Sequence, residues 1–373
     1  MKIFYILTIS ILVFLQSCEK PKPENKGYTE PTGRRLRDIM EEKFTDTSMI
    51  VGVTCGLWAF DYDCGKIVDT EFNYVTPEND FKQKIIHPNN SEWHNEDAEK
   101  WIEHATQNNQ IIRMHCPIGP QVSEWTEDDS RTADELEKNM TDFLTAVCTT
   151  YSKVACIKYM DVVNETVIDG KWFMPKSGVG DWENPWPKMG FEIDKNSTPK
   201  YIKKAFEITN LYAPNIKQLF NHHEDPSKTN SWNLIKETIL NLKSSGIRID
   251  AVGWQAHVDN GWATESNLEA LRLLIDWTRD NGMEFHITEA SSFIKDKVTD
   301  TELNLQAETY AKIFGVLLEK SNLGKVGWNT WHLTDAYTYR SEYSPSLFDE
   351  DCLPKPAYYA IQKKLEEFVP AKN

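Results

Sequence analysis

The chain has 373 residues, a formal net charge of −16 and a pI near 5.1. That acidic balance argues against nucleic-acid or polyanion partners, and the length suits one large domain or two small ones. Aromatic residues make up 12% of the chain and include 13 tryptophans, a side chain well suited to stacking on sugar rings.

In chain order, residues 1–18 read as a targeting segment. Lys2 supplies the positive charge, and Ile3 to Leu15 is an apolar run too short to span a bilayer as a stable helix. Leu15-Gln16-Ser17-Cys18 resembles a bacterial lipobox, in which Cys18 is lipidated and becomes the mature N-terminus. The alternative is an ordinary signal peptide cut near Ser17. The polar stretch Glu19 to Asn25, which carries Pro and Lys, favours a tether. The expectation is therefore an exported protein, lipid-anchored to the outer membrane and touching the membrane only through that anchor. Residues 19–45 carry the tether and a lead-in helix around Arg35 to Glu42, and residues 46–373 form one domain. A monomer is expected.

The cysteines other than Cys18 are Cys55, Cys64, Cys116, Cys148, Cys156 and Cys352. In an exported protein Cys55/Cys64 and Cys148/Cys156 are close enough in sequence to be candidate disulfides. No C-x-x-C or Cys/His ligand spacing occurs, so neither a metal nor any other cofactor is expected.

Eight strand-like runs follow: Ile50–Thr54, Phe72–Thr76, Ile111–His115, Cys156–Val163, Ile216–Phe220, Ile249–Gln255, Glu284–Thr288 and Val326–Trp331. Amphipathic stretches lie between most of them, at Asp97–Asn108, Ala133–Tyr151, Pro199–Tyr212, Ser231–Ser244, Glu265–Asp280 and Asp300–Glu319. Repeated β/α alternation predicts an α/β fold, a single (β/α)8 TIM barrel. A doubly wound open sheet is the alternative, but no Gly-rich phosphate turn follows the first strand. Lys171–Asn196 is long for a βα loop and holds Trp172, Trp182 and Trp186, which read equally well as sugar platforms or as loop core.

Polar residues gather where these strands end. The fourth run closes on Asn164-Glu165 and the seventh on Glu289, and glycoside hydrolysis uses two such carboxylates on opposite sides of one bond. They are far apart in sequence, so a barrel whose strand C-termini open on one face is the way to pair them. The fifth run ends in Asn221-His222-His223-Glu224. Neighbouring residues on a strand face opposite sides, so loop chemistry is expected there rather than metal binding.

The strings Phe72-Asn73-Tyr74-Val75-Thr76-Pro77-Glu78-Asn79, Asp161-Val162-Val163-Asn164-Glu165 and Ile249-Asp250-Ala251-Val252-Gly253-Trp254-Gln255-Ala256-His257 resemble family 10 glycoside hydrolases, the endo-1,4-β-xylanases. So do Ile287-Thr288-Glu289, Trp331 through Asp335, and Leu347-Phe348-Asp349 with Lys355-Pro356-Ala357-Tyr358, all in the family's order. The resemblance implies a retaining hydrolase of xylan or a xylan-like β-1,4-glycan, with Glu165 as acid/base and Glu289 as nucleophile. It further implies that His257 donates to Glu289, that Asn164 holds the sugar 2-hydroxyl and that Glu78, Asn79 and Lys82 bind ring hydroxyls. Gln255 would sit beside the acid/base, with Trp331 as the apolar floor. A non-catalytic glycan-binding lipoprotein is the reading from another class, and two retained glutamates argue against it.

The chain also departs from the family pattern. After the third strand Arg113-Met114-His115-Cys116-Pro117-Ile118-Gly119-Pro120 keeps His115 but lacks the Trp-His pair that contacts the sugar. Tyr339 stands where a second tryptophan is expected after Asp335. The loss of the Trp-His pair implies a wider pocket, able to admit a sugar with a substituent or hydroxymethyl group.

Overall fold

The computed structural model describes residues 29–180 and 182–371. The lipobox, Cys18 and most of the tether lie outside the described residues. Eight parallel strands close into a barrel, with helices in most of the connections. They are β1 (Met49–Cys55), β2 (Tyr74–Pro77), β3 (Ile111–Met114), β4 (Ile157–Asn164), β5 (Lys217–His222), β6 (Ala251–Trp254), β7 (Glu284–Phe293) and β8 (Val326–Trp331). Each strand pairs with the next in sequence, and β8 pairs with β1 to complete the ring.

Runs such as Met49-Ile50-Val51-Gly52-Val53-Thr54-Cys55 are buried throughout, as expected of parallel strands packed on both faces. Some of the helices start on side-chain caps. Thr132 and Glu135 form a reciprocal capping box ahead of Ala133–Tyr151, and Thr264 and Thr299 cap Glu265–Asp280 and Asp300–Ser321. These oxygens satisfy N–H groups that the helix leaves unpaired.

The lead-in helix is present at Leu36–Lys43. Its Lys43 Nζ donates to the carbonyls of Leu365 and Phe368, each at 2.8 Å, beyond or near the end of the C-terminal helix Pro356–Glu367. That helix and Gly65–Glu71 were not among the expected elements. The second strand begins at Tyr74 rather than Phe72 because Phe72 caps Gly65–Glu71. The seventh runs on to Phe293 because a short strand, His257–Asp259, pairs with its far end.

All six described cysteines are free thiols. Neither Cys55/Cys64 nor Cys148/Cys156 is bonded, and Cys64 instead hydrogen-bonds Cys352, far away in sequence. No helix among the described residues is long and apolar enough to cross a membrane.

The barrel interior has two storeys. Low down, Ile50, Tyr74, Tyr159, Leu219 and Ala251 form an apolar cluster. Above it the filling is polar. Arg113, fully buried, donates to Asp161 Oδ2 at 2.5 Å, the Thr288 carbonyl at 2.7 Å and Thr76 Oγ1 at 3.2 Å. Thr76 donates to Asn329, which donates to Thr54. This network ties β1, β2, β3, β4, β7 and β8 together directly beneath the strand ends, with Asp161 Oδ1 left without a hydrogen-bond partner among the described residues.

Candidate active site

A cleft of about 600 Å³ opens at the C-terminal ends of the strands. Glu165, Glu289, Glu78, Lys82, His115, Asn164, Gln255, His257, Trp331 and Tyr339 all line it. Asn79 stands one step back and accepts from Lys82 Nζ at 2.9 Å, while Gln121 accepts from the same ammonium at 2.8 Å. A second hollow of about 380 Å³ lies beside Ser48 and Lys325, where β1 and β8 begin. It gathers no comparable carboxylate pair, and barrel enzymes carry their chemistry at the other face.

Strand register places the key groups. Asn164 is level with Asn221 across the β4/β5 pair, and Asn221 Nδ2 donates to both Asn164 Oδ1 (2.8 Å) and Glu289 Oε1 (3.0 Å). Gln255 Nε2 donates to Asn164 Oδ1 (3.2 Å) and Glu165 Oε1 (2.8 Å). An unbroken chain of amides therefore connects the two glutamates. His257 is level with Ser291, which brings its Nε2 to 3.2 Å from Glu289 Oε2.

Two glycines admit this crowding. A side chain at Gly253 would collide with the Asn221 amide and the Thr288 methyl, and one at Gly119 would press on Asn164 Cβ at 2.9 Å. Glu165 leaves β4 in the left-handed region, φ +54°, a conformation costly for a non-glycine residue. It is held there by its N–H donating to the Asn221 carbonyl at 3.1 Å.

The electrostatics separate the glutamates. Burial pushes the Glu289 carboxyl up, but the His115 charge, the hydrogen bond and charge of His257, and Arg113 outweigh it and hold its pKa at about 2. His115 Nδ1 lies 3.8 Å from Glu289 Oε1 and 2.8 Å from Asp161 Oδ2. Burial disfavours its charge, yet Cys116, Glu289 and Asp161 raise its pKa to about 10. Glu78 is likewise brought to about 2 against burial by His332, Lys82 and Asn79, with His332 Nε2 3.2 Å away. Glu165 is only partly buried. It accepts at both oxygens, from Gln255 at one and from Trp182 Nε1, at 3.2 Å, at the other.

Among the three loop tryptophans, Trp182 alone lines the cleft, 45% exposed. Trp186 is buried and donates to the Gly119 carbonyl, and Trp172 donates to the Asn196 carbonyl in the loop. His222 turns inward onto Trp232 and Glu224, whereas His223 faces Trp182 across the cleft. Among the described residues no cluster of three or more His, Cys, Asp or Glu side chains forms a metal site. Trp331 is buried on the floor, edge-on to His115 at 5.0 Å. Tyr339 is half exposed, its ring 5.4 Å from that of His257.

Asn221, Arg113, Trp182, His223, His332 and Arg340 are the additions to the expected site. Asn221 was visible as a polar strand end. Its role as a hub depends on register, which the sequence does not state.

A closed parallel barrel carrying one carboxylate from β4 and one from β7 in a single cleft defines a glycosidase of retaining or inverting type. Its relatives narrow the class. The family model "Glycosyl hydrolase family 10" matches residues 36–364, and the chain belongs to that family; it is a glycoside hydrolase. It is 27% identical over 309 residues to endo-1,4-beta-xylanase B of Thermotoga neapolitana, covering 81% of this chain and 83% of that one. It is 30% identical over 317 residues to endo-1,4-beta-xylanase A of Caldicellulosiruptor saccharolyticus, covering 78% and 85%. The crystal structure of xylanase 10B from Thermotoga petrophila RKU-1 in complex with xylobiose matches with a TM-score of 0.77 at 27% identity, over 91% of this chain and 99% of that one.

Proposed function

We propose that this chain hydrolyses a β-1,4-linked xylan or xylan-like glycan with retention of configuration. The observation that carries the reading is the unequal treatment of two carboxylates in one cleft. Glu289 is buried among donors that keep it ionised, whereas Glu165 sits at the partly open end. Glu289 attacks the anomeric carbon and the glycosidic C–O bond breaks. Glu165 delivers its proton to the departing oxygen, leaving a glycosyl ester on Glu289. Glu165 then takes a proton from water, which attacks the same carbon and releases Glu289. Asn164, oriented by Asn221 and Gln255, is placed to hold the 2-hydroxyl as positive charge develops. A 2-fluoro-glycoside with a good leaving group tests this, because the ester it traps should be found by mass spectrometry on a peptide containing Glu289. Inverted product in an NMR time course would refute it.

His115→Asn removes the cation beside Glu289. The ionised form of Glu289 loses support, so its pKa rises, and activity should be lost at a higher pH than in the wild type. The acid limb of kcat/KM is expected to move up by about 1–3 units. An unmoved limb would dissociate His115 from the nucleophile's ionisation.

Trp182→Phe keeps an aromatic ring in the cleft and deletes the N–H donated to Glu165. A hydrogen bond to a charged group contributes about 1.5–3 kcal/mol, so kcat/KM on polysaccharide should fall about tenfold or more. Equal activity of variant and wild type would make Trp182 only a wall.

For residues 1–18 the proposal is a lipoprotein signal peptide, with export and lipidation at Cys18. Replacing Cys18 with Ala should move the protein from the membrane fraction to the soluble one.

A further inference from the structure

Arg340 is unusual among the arginines of this acidic chain. Each of the others has a carboxylate within 4.0 Å. Arg340 has none among the described residues, although it lines the cleft that holds Glu165 and Glu289. Its guanidinium rests instead over two rings, 5.7 Å from the centre of Tyr339 and 5.8 Å from that of Tyr343. Such stacking orients the guanidinium without neutralising its charge.

The location is as informative as the lack of an ion pair. Tyr339 lies against His257, which contacts Glu289, so Arg340 is joined to the nucleophile through two intervening side chains, at the edge of the same cleft. Lys82, the lysine of the cleft, has its ammonium directed at the amides of Asn79 and Gln121. Arg340 is exposed and hydrogen-bonds Tyr339, which leaves the other donors of its five N–H groups to offer. A forked guanidinium matches a carboxylate with two parallel hydrogen bonds, which a neutral sugar hydroxyl cannot reciprocate. The cleft that Arg340 lines has a volume of about 600 Å³.

We infer that Arg340 is a specificity residue that binds a carboxylate carried by the glycan, making the substrate class a uronate-bearing xylan-type polysaccharide. This rests on the hydrolase reading and narrows it.

The test compares glucuronic-acid-decorated xylo-oligosaccharides with the same oligosaccharides after chemical reduction of the carboxyl groups. The wild type should cleave the acidic form with kcat/KM about tenfold or more above the reduced form. In Arg340→Gln that ratio should collapse toward one, and Arg340→Lys should keep part of it. Equal rates on both substrates in the wild type, or an unchanged ratio in Arg340→Gln, would overturn the inference. Should neither oligosaccharide be cleaved, the hydrolase reading fails first, and calorimetric titration of the same pair then decides about Arg340. Tighter binding of the acidic form, lost in Arg340→Gln, would uphold the carboxylate site. Equal binding, or none, would remove it.

Discussion

Glu289→Ala should lower kcat on a cleaved glycan by about 10⁴-fold or more, since the attacking group itself is lost. Added azide should restore part of the activity by occupying the vacated space and attacking the anomeric carbon from the same side. The product would be a glycosyl azide of inverted configuration. Glu165→Ala is expected to behave differently. Aryl glycosides whose leaving groups need no proton should still form the glycosyl ester, while polysaccharide, with a poor leaving group, should not be cleaved. Steady-state rates on both substrates read this directly. Equal losses in Glu165→Ala, or no azide product from Glu289→Ala, would contradict the assigned roles.

The second large effect is on stability. Arg113 and Asp161 are both fully buried and paired at 2.5 Å. Arg113→Met leaves Asp161 with His115 as its remaining cationic neighbour. Breaking one half of a buried pair costs about 3–5 kcal/mol, a large share of the stability of a typical domain. Denaturant unfolding should show that loss, and Arg113→Met/Asp161→Leu should recover much of it by removing the stranded carboxylate. A midpoint unchanged in the single variant would mean that water or rearrangement reaches this layer. The Thr288 carbonyl also loses its donor in the variant, so Glu289, the next residue, should lose position and kcat should fall along with stability.

The barrel and its two glutamates were legible because their signals are local. Apolar runs that end in Asn164-Glu165 and in Thr288-Glu289 read as buried strands with polar tips, and the family strings fixed their order. What was not legible depends on register and on distant partners. Asn221 becomes a hub only because β4 and β5 align it with Asn164. Arg113 reads as a strand residue near a polar end, and nothing local reveals an interior that is polar in its upper half. Trp182 was one of three equivalent loop tryptophans. Its loop is pinned by Gly178 N–H to Asp129 and Gly180 N–H to Glu127, pairings made across the fold. The candidate disulfides failed for a related reason: nearness along the chain is no guide to where buried side chains point.

The end of the lead-in helix and the C-terminal end of the described chain meet on the underside of the ring. The lead-in helix is clamped to the C-terminal helix through Lys43, and Pro370 and Ala371 sit beside Ser48 and Lys325, just ahead of β1 and β8. A bead or a fused module attached at the C-terminal end thus takes hold of the protein by its back. The cleft that holds Glu165 and Glu289 lies at the opposite face, clear of such an attachment.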